Sequence, residues 1–138
     1  MDEFLIAHIG HTHKDHEHIC LWRPNSRGYT ICVDKAGRYD EAEAKSICRS
    51  GCCIAIRVDA VLPLALSTPY YRMSSGRLAP LYDGGPHRPV ANSADNWKLL
   101  MSARLPVESA YPTERPTPIT KSKARAIYLD TLPEIVNG

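Results

Sequence analysis

Five of the six histidines fall within residues 8–18, which read H-I-G-H-T-H-K-D-H-E-H. Histidine is the commonest metal ligand, and it titrates nearest neutral pH. Three imidazoles and a carboxylate, from His11, His13, Asp15 and His16, could hold zinc or manganese. Such an ion activates water for phosphodiester cleavage. The same loop could instead receive an anion without any metal. His11, Thr12, His13 and Lys14 offer the hydroxyl, ammonium and ring donors that a phosphate needs. A second set of reactive types crowds residues 67–91: Tyr70, Tyr71, Arg72, Arg77, Tyr82, His87 and Arg88. Aromatic faces stack bases and arginine forks bind phosphates. With Arg23 added, these residues describe a pocket for a nucleotide or a nucleotide-derived signal. The plainer account is a surface loop whose tyrosines pack on the core.

The motif H-x-H-x-D-H resembles the ligand set of metallo-β-lactamase-fold hydrolases, and the apolar residues 4–9 supply the strand that should precede it. The length argues against that fold. At 138 residues the chain is short for a four-layer hydrolase, and the motif starts too early for the strands that come first. A likeness to two-histidine phosphoesterases fails too, because His87 is followed by Arg88 and Pro89 rather than by a second H-x-[ST]. Cys48, Cys52 and Cys53 could bind a soft metal with a histidine, or pack as small apolar groups. No base can be named for a cysteine nucleophile. The catalytic set is therefore incomplete, and binding is favoured over catalysis. No resident cofactor is expected, zinc or manganese being the alternative.

Ile19, Leu21, Trp22, Arg23 and Pro24, then Gly28 and Tyr29, then Ala36, Gly37, Arg38 and Tyr39 form the pattern I-x-L-W-R-P…G-Y…A-G-R-Y. It resembles a pattern in small phage and prophage proteins of Gram-negative bacteria. Asn92, Trp97 and Leu100 resemble their second block. The resemblance covers about the first 60 residues well and residues 90–105 loosely. It implies a phage origin and no activity.

Composition bounds the classes. The chain is 43% hydrophobic and 23% charged, as in ordinary globular domains. A net charge of +2 without a basic stripe does not point to nucleic acid. No apolar run reaches membrane-spanning length. Residues 4–9 follow Asp2 and Glu3, so they do not read as a secretory signal. Five cysteines, an odd number, suit a reducing compartment, which for a phage protein is the host cytoplasm.

These residues need elements to position them. Residues 4–9, 19–22, 29–33 and 52–58 read as strands. A turn centred on Ser26 would place Cys20 opposite Cys32. Asp40 and Glu43 form a capping box for a helix over about 41–49. Residues 60–66 read as a short helix or an edge segment because of Pro63. Residues 67–91 read as one long loop. Asn92 or Ser93 caps a second helix over about 94–103, with Trp97, Leu100 and Met101 as its apolar stripe. Four prolines between Pro106 and Pro118 mark an extended arm, followed by a short helix near residues 123–129.

The expected fold is α+β: one antiparallel sheet of four or five strands, with two main helices on one face. Residues 1–105 form the domain. Residues 106–138 form an arm suited to packing on another subunit of a homo-oligomer. The expected function is that of a phage anti-defence protein. It would sequester a nucleotide-type immune signal or block a host defence protein. The alternative is a metal-dependent phosphodiesterase or nuclease.

Overall fold

The computed structural model describes residues 2–66, 68–80, 88–120 and 123–129. The expected elements Tyr82 and His87 lie outside them. Two antiparallel sheets are present. The larger has the order β3-β2-β1-β4, built from β1 (Phe4–His8), β2 (Leu21–Trp22), β3 (Tyr29–Thr30) and β4 (Cys53–Arg57). The smaller has the order β6-β5-β7, from β5 (Thr68–Arg72), β6 (Leu78–Pro80) and β7 (Ala126–Leu129). The helices among the described residues are α1 (Glu41–Cys48), the single turn α2 (Val58–Val61) and α3 (Ala94–Ala103). The mixed α+β class is as expected, but with two sheets rather than one, and with the short α2 beside the two main helices α1 and α3.

Strands β1 and β4 are apolar at successive positions, so both of their faces demand cover. One face packs Leu5, Ala7, Ile54 and Ile56 against Val61, Trp97 and Leu100 of α2 and α3. The other packs Phe4, Ile6, Cys53 and Ala55 against Ala44 and Cys48 of α1. The two main helices therefore lie on opposite faces, not on one. Leu105 and Val107 of the arm complete the second layer.

Asp40 caps α1 as its sequence requires. Its carboxylate accepts from the Glu43 N–H at 2.8 Å, and the Glu43 side chain answers at the Asp40 N–H. Asp40→Ala is expected to lower stability by about 1 kcal/mol, measured by urea unfolding. An unchanged midpoint would show that the box contributes nothing here. Gly51 ends this region at φ +82, where the left-handed backbone suits glycine.

The β2–β3 turn departs from expectation by half a residue. Asn25 and Ser26 both take positive φ, and Arg23 N–H donates to Gly28 O, so the turn centres between them. Leu21 then faces Thr30 and Trp22 faces Tyr29, and Cys20 is not paired with Cys32. The segment read as one long loop holds the β5–β6 hairpin. The terminal helix is instead strand β7, because residues 126–129 pair with residues 68–71.

Residues 105–120 have no regular structure, yet they are fastened to the domain. Leu105 N–H donates to Ala55 O, Ala110 N–H to Arg49 O, Glu114 N–H to Gly51 O and Ile119 N–H to Asn92 O. Among the described residues, no helix is long and apolar enough to cross a membrane.

Candidate functional site

The histidine loop is a folded turn pinned from inside. The Thr12 hydroxyl donates to His8 O at 2.8 Å and accepts from Cys20 N–H at 3.1 Å. Thr12 is buried, so this expected ligand contact is structural instead. His13 N–H donates to His16 Nδ1, and His16 N–H donates to His13 O. Beneath the loop, buried Asn92 donates through Nδ2 to His13 O, His16 O and Thr117 O. Its Oδ1 accepts from the Trp97 indole at 2.5 Å. Ser93, not Asn92, caps α3. Asn92 is spent on holding the loop.

Outside the loop, the His11 ring stacks on Tyr29 with centroids 4.0 Å apart and planes 13° apart. The His13 and His16 rings stand 5.0 Å apart, and each is more than 6 Å from that of His11. Asp15 is paired with Lys123 at 3.0 Å. His11, His13, Asp15 and His16 do not converge as a ligand set. Among the described residues, the group of potential ligand atoms lying within 4.8 Å of one another is His8, Cys52 and Cys53.

A cleft of about 560 Å³ opens beside the loop, within the size range of small-molecule sites. It is lined by His11, Asp15, His16, Glu17 and His18 of the loop, by Cys20 and Ile31, and by Tyr71, Lys123 and Arg125. Three distant stretches of chain thus meet here. The larger sheet presents the loop, β5 presents Tyr71, and the approach to β7 brings the two cations.

Glu17 is the central group. Its residue is 9% exposed. Oε1 accepts from the Arg125 N–H at 2.7 Å and lies 3.5 Å from the Arg125 guanidinium. Oε2 is buried and finds no hydrogen-bond partner among the described residues, although the Tyr71 hydroxyl stands near the carboxyl group. A buried polar atom left unpaired costs about 1–3 kcal/mol, so it calls for a donor. The Arg125 guanidinium sits 4.8 Å over the Tyr71 ring. At that range the cation is drawn to the ring. His18 is also buried, and its Nε2 is 3.1 Å from the Tyr128 hydroxyl.

The electrostatics follow from burial. Burial lowers the His18 pKa to about 4, so the ring is neutral. Burial also lowers His16, aided by the neighbouring His13 and His11. The Lys123 ammonium holds Asp15 below the ordinary carboxylate range. Burial, with Glu17 nearby, raises Tyr71 and pushes Tyr128 up to about 12. Both phenols therefore remain hydrogen-bond donors at neutral pH.

The expected ligand residues divide sharply. His11 and Tyr71 line the cleft. Arg23 borders a smaller hollow of about 300 Å³, which shares Cys20 and Ile31 with the cleft. Tyr70 is 1% exposed and belongs to the core. Arg72 reaches Gly76 O within its own hairpin, and Arg77 turns toward Met73. Arg88 is held by Asp34 through two hydrogen bonds of 2.6 and 3.0 Å. His13 and Lys14 are exposed beside the cleft rather than among its lining residues. Sequence reasoning missed Glu17, Lys123 and Arg125, and took His18 only as one of the clustered histidines. Only Glu17 and His18 carried a signal, by their place in the histidine stretch. The chain matches no family model, no curated protein and no solved structure.

Proposed function

We propose that the protein binds a nucleotide-type small molecule in this cleft and withholds it from other proteins. The carrying observation is the cleft itself, where the Glu17 carboxylate, Lys123, Arg125 and the Tyr71 ring come together. The Glu17 carboxylate places an acceptor at the cleft for an N–H donor, such as a base edge supplies. The aromatic rings offer stacking surface, and the cations suit phosphates. With the phage-like pattern of residues 19–39, the reading is a phage accessory protein acting in the host cytoplasm. It sequesters a nucleotide-derived immune signal and performs no chemistry on it. Assembly as a homo-oligomer is part of the proposal, supported by exposed Leu99 on α3 and Tyr111 in the arm.

The test is a melting-temperature screen against cyclic dinucleotides and ADP-ribose derivatives, with mass analysis of the recovered ligand. A ligand at 100 times its Kd stabilises the fold by about 2.7 kcal/mol. One nucleotide class should raise the melting temperature, be recovered intact, and lose its effect with Glu17→Gln. No shift with any of them, alongside a host defence protein retained on the immobilised chain, would replace this reading with direct protein inhibition. Recovery of a cleaved ligand would make the protein a phosphodiesterase.

A further inference from the structure

A second chemical centre lies outside the cleft, where β1 ends and β4 begins. His8 and Cys53 are cross-strand partners in the larger sheet, and Cys52 immediately precedes β4. The Cys52 carbonyl accepts from Ile9 N–H and Gly10 N–H, which fixes this corner. Cys52 Sγ lies 3.8 Å from Cys53 Sγ and 3.9 Å from His8 Nε2. All three ligand atoms lie within 4.8 Å of one another.

We propose that His8, Cys52 and Cys53 bind one soft divalent metal ion of the zinc class, with Glu114 of the arm, which stands near His8 but outside the three-residue group, swinging in to the fourth position. Zinc binds sulfur at about 2.3 Å and imidazole nitrogen at about 2.0–2.1 Å in tetrahedral sites. Those bond lengths put two sulfurs about 3.8 Å apart and sulfur about 3.6 Å from nitrogen. The spacings around Cys52 match with shifts of a few tenths of an ångström. Two sulfur donors and one imidazole select zinc-like metals over magnesium or calcium.

The surroundings supply the outer partners that such sites use. Ser50 Oγ lies 2.9 Å from Cys52 Sγ and can donate to a thiolate there. The Trp22 indole N–H is buried beside Cys53 and finds no hydrogen-bond partner among the described residues. A metal-bound Cys53 thiolate would satisfy it. Glu114 is brought in by the arm, whose N–H donates to Gly51 O at 2.8 Å. Its Oε2 stands 2.8 Å from where a side chain on Gly10 would begin, which places the carboxylate at this corner.

Loading this site changes one bond in the histidine loop. His8 Nδ1 accepts from the His11 N–H at 2.9 Å, which keeps the ring proton on Nε2. Ligation of the neutral ring through Nε2 requires its one proton to sit on Nδ1 instead. The His11 N–H then loses its acceptor. Since His11 also lines the cleft, metal binding would be felt there.

The test uses the full, reduced, untagged chain, stripped of metal and titrated with cobalt(II). One equivalent should give the intense thiolate-to-cobalt charge-transfer absorption and strong visible bands of a tetrahedral site, both abolished by zinc. Cys52→Ser and His8→Gln should each weaken cobalt binding at least about tenfold, and Glu114→Gln should weaken it less. The His11 amide should shift on loading, read by nuclear magnetic resonance. His13→Gln/His16→Gln and Cys20→Ser should leave the spectrum unchanged. Circular dichroism checks that each variant is folded. Absence of charge-transfer absorption, an undiminished cobalt affinity in folded Cys52→Ser, or loss of the absorption in His13→Gln/His16→Gln would each overturn the proposal.

Discussion

Asn92→Ala is expected to destabilise the protein by about 3–5 kcal/mol and to abolish binding in the cleft. The magnitude follows from what one amide holds. Its Nδ2 serves the carbonyls of His13, His16 and Thr117, and its Oδ1 accepts the buried Trp97 indole. A net hydrogen bond contributes about 1 kcal/mol, and a buried donor stripped of its partner costs about 1–3 kcal/mol. Folded domains hold only about 5–15 kcal/mol in reserve, so the loss is a large share. Urea unfolding gives the stability directly. Adding Trp97→Phe should recover part of the loss, because the stranded indole donor is removed with its acceptor. The two changes should therefore be non-additive. A loss below about 1 kcal/mol, or strict additivity, would show that the amide does not hold loop, arm and helix together.

Acid should weaken the fold through His18. Folded, the ring stays neutral down to about pH 4, whereas an unfolded chain titrates near 6.5. Between those values the unfolded state binds the extra proton, so stability rises with pH. The stabilisation is fully present above pH 6.5 and is lost as the pH falls toward 4. At about 1.4 kcal/mol per pH unit, the span amounts to about 3 kcal/mol. His18→Gln should flatten most of this dependence. A smaller slope of the same sign should persist from His16, whose pKa is also lowered. Because His18 contacts Tyr128 in β7, ligand affinity should fall over the same range. Unfolding midpoints measured from pH 7 to pH 4 decide it. A flat wild-type profile, or an unchanged slope in His18→Gln, would remove His18 as the cause.

The sequence made the larger sheet and its two long helices legible because their signals are local. The run at residues 4–8, the capping box at Asp40 and the spacing of Trp97 and Leu100 each fit within one element. The continuous apolar character of β1 and β4 also demands cover on both faces. The second sheet was not legible. It pairs residues 68–71 with residues 126–129, and nothing in either short stretch states that contact. The site divides the same way. Glu17 and His18 lay inside the conspicuous histidine stretch but drew less notice than His11 and His13. Lys123 and Arg125 arrive only through the fold of the arm. His8 and Cys52 were visible as types, and only strand register brought them together.

The irregular run from Leu105 to Thr120 has a consequence for how this protein can vary. It is a measured belt. It carries Glu114 to the corner at His8, Thr117 and Ile119 to Asn92, and the chain onward to Lys123 and Arg125 at the cleft. Insertion or deletion of one residue between Leu105 and Glu114 would move every later fastening by one position. Both centres would then be mis-set together. Length, rather than secondary structure, is what natural variation must preserve in this stretch, and grafting either centre onto another scaffold would require carrying the belt with it.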